Sequence, residues 1–147
     1  MRRDPEEATR LGFDSDEAWR VGFDALYGLQ VTEASIHEVR GQVVVRDELK
    51  QPAGLVHGGV YAAIAESLAS LGTMIGVHRQ GKLAMGLSNQ TSFLRPVTAG
   101  TIHARAVCKH AGRSTWVWEV EIADDAGRLC VLTRVTVAVR DAAPRDP

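Results

Sequence analysis

Between Lys50 and Arg79 the chain carries a single charged side chain, Glu66. Charged residues make up 24% of the whole sequence, so a stretch of this length would ordinarily hold about seven. An isolated carboxylate is costly to bury unless it finds partners or takes up a proton, and no Lys or Arg lies within helical reach of Glu66. The residues sharing its helical face, Ala62, Ala63, Ala69 and Ser70, with Gly59 and Thr73 a turn further out, are all small. Such a face permits close approach by another surface: the equivalent helix of a second subunit, a ligand, or both.

The same segment opens on Gly58-Gly59, whose backbone N–H groups would stand at the positive end of a helix with no side chain in front of them. In outline this is an oxyanion site, flanked by Gln51 and His57. Glu66 lies eight residues further along, about 12 Å at 1.5 Å per residue. Either one ligand spans that distance or Glu66 meets the glycine end of a second subunit. The bland reading uses the same residues: a solvated Glu on an exposed face, a plain Gly-Gly turn, and a His57 ring that holds loop geometry instead of moving protons.

The elements that must position these groups follow from periodicity. A short helix is expected over Ser15–Leu26, with Trp19, Phe23 and Leu26 as its apolar stripe. Two strand-like stretches, LQVTEASIHEV and GQVVVRDEL, meet at Arg40-Gly41, read as a turn. Gln51–Gly54 breaks the pattern, and the low-charge helix runs from about His57 or Gly59 to Gly76. Four strands follow, over Leu83–Leu94, Thr101–His110, Ser114–Ala123 and Arg128–Arg140, with Asp124–Gly127 as the last hairpin. Alternation is clear within them: Ile102, Ala104, Ala106 and Cys108 share one face, as do Trp116, Trp118, Val120 and Ile122. Two strands, one long apolar helix and a four-stranded meander imply an α+β fold in which a curved antiparallel sheet wraps one central helix. Residues 1–25 then form an extension, 26–141 a single domain and 142–147 a tail.

The remaining composition narrows the function classes. A chain of 147 residues with 17 Lys and Arg against 18 Asp and Glu has no basic field for nucleic acid or an anionic membrane. The run Gly58–Val77 is nearly long enough to span a bilayer, but it is rich in Ala, Gly and Ser and carries a glutamate at its centre. No membrane partner is expected, and with no export signal legible the protein is expected in the cytoplasm, its Cys108 and Cys130 reduced. The five histidines show no metal-ligand spacing, and Ser67 and Ser88 lack the context of a nucleophile elbow.

The string Gln51-Pro-Ala-Gly-Leu-Val-His57-Gly58-Gly59-Val-Tyr-Ala-Ala-Ile-Ala-Glu66-Ser-Leu-Ala-Ser70 resembles the signature of the hotdog-fold acyl-CoA thioesterases. It is most similar to the 4-hydroxybenzoyl-CoA thioesterases that use a glutamate on the central helix. Ser88–Phe93 with Arg95-Pro96, His110–Gly112 leading to Ser114–Trp116, and Asp124–Cys130 extend the likeness over most of the chain after Gly22.

The resemblance implies hydrolysis of an aromatic acyl-CoA to free acid and coenzyme A, with no cofactor, since coenzyme A is part of the substrate. Glu66 would be nucleophile or general base, Gly58 N–H would polarise the thioester carbonyl, and Gln51, His57 and Ser70 would complete the catalytic set, Ser70 orienting the water. Arg95, Ser114 and Thr115 would hold the coenzyme phosphates, and Arg113 adds local positive charge beside them. Asp24, with Thr91, would contact the acyl group, Asp24 receiving a ring hydroxyl. Tetramers built from dimers, with active sites between subunits, are also implied. Phenylacetyl, naphthoyl and medium-chain thioesters, a dehydratase pairing His57 with Glu66, and a non-catalytic acyl-CoA sensor are the competing readings.

Overall fold

The computed structural model describes residues 22–142; Ser15–Val21 of the expected N-terminal helix, Trp19 among them, and the tail 143–147 lie outside the described residues. The elements run α1 (Phe23–Tyr27), β1 (Gln30–Ala34), β2 (Glu38–Val44), α2 (Gly58–Val77), β3 (Lys82–Phe93), β4 (Thr101–Ala111), β5 (Thr115–Ala123) and β6 (Leu129–Asp141), with single 3-10 turns at Asp47–Leu49 and His78–Gln80. The six strands form one sheet in the order β1-β2-β4-β5-β6-β3, and every pairing is antiparallel. The expected α+β architecture is therefore present. The connection through α2 carries the chain from β2 to the far edge, so β3 ends with one side unpaired.

The core lies between α2 and the sheet. Ile64, Ala65, Leu68 and Ala69 of the helix are buried against Val39, Val43, Ile102, Ala106, Trp118, Val120, Ile122, Val131, Val135 and Val137. The small helix residues have a local use: a Cβ on Gly72 would run into the Trp118 ring, and one on Gly76 would stand 2.5 Å from Cη2 of Trp116. Gly72 and Gly76 thus let α2 approach the chain's own tryptophans. Thr73 is fully buried; its hydroxyl donates to Ala69 O at 2.9 Å and accepts from Trp118 Nε1 at 2.9 Å. Gly58–Gln80 is long and apolar enough to cross a membrane, but it is the core helix of this sheet and half of its apolar window is buried.

Two expected elements are corrected. Arg40-Gly41 is not a turn; both residues sit inside β2. The reversal falls at Ser35–His37, where Ser35 Oγ accepts the N–H of Glu38 at 3.0 Å. Glycine is found mid-strand because the helix packs there: a Cβ on Gly41 would stand 3.1 Å from Leu29 Cδ1 and 3.2 Å from Leu68 Cδ2. Within the described residues the N-terminal helix spans only Phe23–Tyr27, opening at Gly22 without a side-chain cap and closing on Gly28 in the left-handed region at φ 80°. It packs on α2. The meander follows the expected alternation, and Gly127 N–H closes the Asp124–Gly127 turn on Asp124 O at 2.9 Å. Both cysteines are free, Cys108 half-buried and Cys130 buried.

Candidate active site

The entry to α2 is fixed by backbone bonds from both sides. Val56 N–H donates to Val97 O at 2.9 Å and His57 N–H to Leu49 O at 2.8 Å, while Gly54, at φ 86°, closes a turn onto Gln51 O at 2.9 Å. His57 is the N-cap residue, its Nδ1 accepting Gly59 N–H at 2.9 Å. Val60 N–H goes to His57 O at 3.0 Å. Among the described residues the Gly58 N–H has no such partner, so it is the first-turn donor left to a ligand. One nitrogen of the His57 ring, Nδ1, is thus engaged in holding the glycine turn.

A hollow of about 390 Å³ opens beside Gly58, lined by Gln51, Leu55, Tyr61, Phe93, Arg95 and Pro96 among others. Gln51 Oε1 accepts Ala53 N–H at 2.5 Å, which leaves its Nε2 amide and the second lone pair of the oxygen to offer a substrate. Phe93 packs so closely that a Cβ on Gly58 would stand 2.7 Å from the ring. Tyr61, one turn into the helix, was not singled out from the sequence. It is 3% exposed and its hydroxyl has no hydrogen-bond partner among the described residues. Burial pushes its pKa up to about 12, with Cys130 adding to the rise, so the phenol stays neutral. Nothing local in the sequence marks it, because its burial is created by β3 and β6.

A second hollow, about 480 Å³, opens on the Gly59 side between α1 and the helix start, walled by Phe23, Leu26, Tyr27, Leu49, His57 and Val60. Lys50 and Arg46 stand among its lining residues. Asp24 lies on this side, where its Oδ1 accepts the Ser67 hydroxyl at 2.7 Å and the Tyr27 hydroxyl at 2.5 Å. Burial, and next the bond to Asp24, hold the Tyr27 phenol well above its ordinary pKa. One oxygen of Asp24 is therefore committed to tying α1 to the helix next to Glu66.

Glu66 is exposed on the helix face toward the sheet edge, its carboxylate lying over Gly86 of β3. Ser70, half-buried, follows one turn later. Asn89 Nδ2 donates to Ala62 O at 2.9 Å, and Thr91 donates to Asn89 Oδ1 at 2.7 Å while lying 3.1 Å from the Thr133 hydroxyl. Thr91, within β3, thus braces Asn89.

The expected site residues therefore fall into separate groups within one chain. Gln51, Gly58 and Arg95 converge on the first hollow; Asp24 and Glu66 lie further along the helix. Arg113, Ser114 and Thr115 occupy the β4–β5 turn, where Thr115 pairs with Ala138, itself paired with Met85 of β3. From Met85 to Phe93 is about 26 Å along a strand, so this turn and Arg95 stand near opposite ends of β3.

The sequence profile of the thioesterase superfamily matches residues 53–131. The Mycobacterium tuberculosis protein Rv1847, whose name assigns it provisionally to the esterases, is 37% identical over 119 residues, 80% of this chain and 85% of that protein. A 1,4-dihydroxy-2-naphthoyl-CoA hydrolase of Listeria monocytogenes is 32% identical over 113 residues, 77% of this chain and 91% of its own. Among solved structures, a mutant of the thioesterase PA1618 from Pseudomonas aeruginosa superposes with TM-score 0.81 at 26% identity, covering 95% of each chain. The chain belongs to the thioesterase superfamily: it is a thioester hydrolase built on the hotdog fold.

Proposed function

We propose that the protein hydrolyses an aromatic acyl-CoA, 4-hydroxybenzoyl-CoA or a similar aryl thioester, to the free acid and coenzyme A, in a dimer whose active sites lie between subunits. The observation that carries the reading is where α2 sits on β3: Glu66 over Gly86, Gly58 over Phe93. The helix-facing positions of β3 are Ala84, Gly86, Asn89, Thr91 and Phe93, paired with Val139, Val137, Val135, Thr133 and Val131, with Leu87 as an extra residue between Gly86 and Ser88. Antiparallel pairing of two β3 edges about Gln90 sets helix-facing residues opposite one another and puts Phe93 of one strand against the Gly86–Leu87 bulge of the other. Glu66 then meets Gly58 of the partner subunit, which resolves the 12 Å separation about as estimated from helix rise. The same pairing carries Arg95 toward the partner subunit's Thr115. Leu83, Met85, Leu87 and Phe93 are between 42% and 62% exposed in the single chain, an apolar edge that a second copy covers.

In this site the thioester carbonyl rests on Gly58 N–H. As the carbon becomes tetrahedral the oxygen gains negative charge, which a donor fixed at a helix N-terminus stabilises by about 3 kcal/mol. Glu66 either attacks the carbonyl carbon, giving after loss of the thiolate a mixed anhydride that water hydrolyses to the free acid and the restored carboxylate, or takes a proton from a water that attacks the carbon itself, with Ser70 orienting that water. In both courses the C–S bond breaks and coenzyme A leaves as a thiolate, a good leaving group that needs little general-acid help. Arg95, Arg113, Ser114 and Thr115 hold the phosphates, and the hollow bounded by α1 receives the acyl group.

A panel of acyl-CoAs with a thiol reagent tests the reading: aryl thioesters releasing coenzyme A fastest is the expected result. Preference for a naphthoyl thioester would support the second reading, which the Listeria relative favours. Binding without release would indicate a sensor and contradict both. Single-turnover hydrolysis in heavy-oxygen water that labels Glu66 would identify it as the nucleophile.

A further inference from the structure

Among the described residues Gly86 is the one glycine whose replacement would press directly on the proposed catalytic carboxylate. A Cβ built there has three nearest neighbours, all in Glu66: Oε1 at 2.7 Å, Cδ at 3.1 Å and Cγ at 3.4 Å. The two usual reasons for glycine do not apply. Gly86 is not among the glycines with positive φ, so its backbone suits any residue. Within the single chain it is also exposed on the edge strand, so no packing inside the chain demands its small size, in contrast to Gly72 against Trp118. What a side chain at this position would displace is the carboxylate.

A second observation falls at the same place. The β3–β6 register shifts between Gly86 and Ser88, leaving Leu87 as an additional residue opposite Val137 and Thr136. A bulge re-aims the strand locally and is a common device beside active sites. Here the bulge directly follows Gly86, whose bare Cα faces α2 under the one charged residue of the helix, while Asn89 fixes the same helix from the other side of the bulge.

We infer that Gly86 is a positioning residue: its missing side chain and the adjoining bulge form the seat on which the Glu66 carboxylate is held for reaction. The inference rests on Glu66 carrying the hydrolysis proposed above. Displacing a reacting group by about 1 Å costs on the order of a hundredfold in rate, whereas moving the end of an exposed flexible side chain costs the fold little. Gly86→Ala should therefore separate activity from stability.

The test compares Gly86→Ala, Glu66→Asp, the double variant and Glu66→Ala in full-length protein, using the best aryl-CoA substrate. Gly86→Ala is expected to lower kcat by about tenfold to a hundredfold with KM within about threefold and with unchanged melting temperature and oligomeric state. The shorter side chain of Glu66→Asp withdraws from the space the new methyl fills, so in that background adding Gly86→Ala should change kcat by less than about twofold. Multiplying losses, a Gly86→Ala enzyme with wild-type kcat, or one that fails to fold would each overturn the inference. Wild-type turnover by Glu66→Ala would instead overturn the assignment of Glu66 itself.

Discussion

Asn89 donates its side-chain amide to the carbonyl of Ala62 at 2.9 Å, one helical turn before Glu66. The bond joins the edge strand to the segment of α2 that carries the carboxylate, and it is backed by the Thr91 hydroxyl on Asn89 Oδ1. Asn89→Ala removes both bonds while leaving the strand in place. We expect a stability loss of about 1 kcal/mol, read as a lower denaturant midpoint, and a fall in kcat larger than any rise in KM.

The Trp118–Thr73 bond is the polar contact at the centre of the core, with both residues fully buried. Thr73→Val keeps the shape of the side chain but leaves the indole N–H without its acceptor. The cost should be about 1–3 kcal/mol, measured by chemical denaturation, with turnover per folded molecule retained.

How much of this was legible beforehand depended on the range of the interaction. The inward set Trp116, Trp118, Val120 and Ile122 and the Asp124–Gly127 hairpin repeat or close within a few residues, and the structure has them where alternation and turn chemistry put them. The lone charge of Glu66 marked the central helix. Gly41 misled because glycine usually signals a turn, whereas here the signal was its closeness to Leu68, 27 residues away in sequence. Asn89 and Tyr61 gave no local sign at all: one finds its partner 27 positions away, and the other is buried by strands that follow it. The expected N-terminal helix is interrupted at Gly22, which stands at φ 79° ahead of α1, and Asp24 gains a contact with Ser67 that only the packing of α1 on α2 creates.

On the outer face of the sheet Glu38 accepts from Arg105 at 2.7 Å and from Arg40 at 2.5 Å. The Arg105 bond first, then that of Arg40, lowers its pKa from 4.5 to about 2. A carboxylate whose folded pKa is depressed stabilises the fold above its unfolded pKa and loses that contribution as pH falls through the folded value. Wild type should therefore melt above Glu38→Gln at pH 6, and the difference should shrink between about pH 4.5 and pH 2. The effect should be small, since the cluster is solvent-exposed. A difference that grows on acidification would contradict the assignment.

Pairing of two β3 edges about Gln90 predicts a specific cross-link. Gln90→Cys places two thiols across the dyad, within the roughly 3.5–4.5 Å Cβ separation that a disulfide needs. Mild oxidation should give a covalent dimer on a non-reducing gel, and Gln42→Cys on β2, away from that edge, should not. A covalent dimer from Gln42→Cys alone would contradict this register.

The central claim is that Glu66 carries the hydrolysis across a subunit interface, and Glu66→Gln tests it most directly, because the amide keeps the size of the side chain and removes its charge. Steady-state release of coenzyme A from an aryl-CoA should fall about a hundredfold to ten-thousandfold in a protein that melts and assembles like wild type. Turnover within a few-fold of wild type would contradict the account.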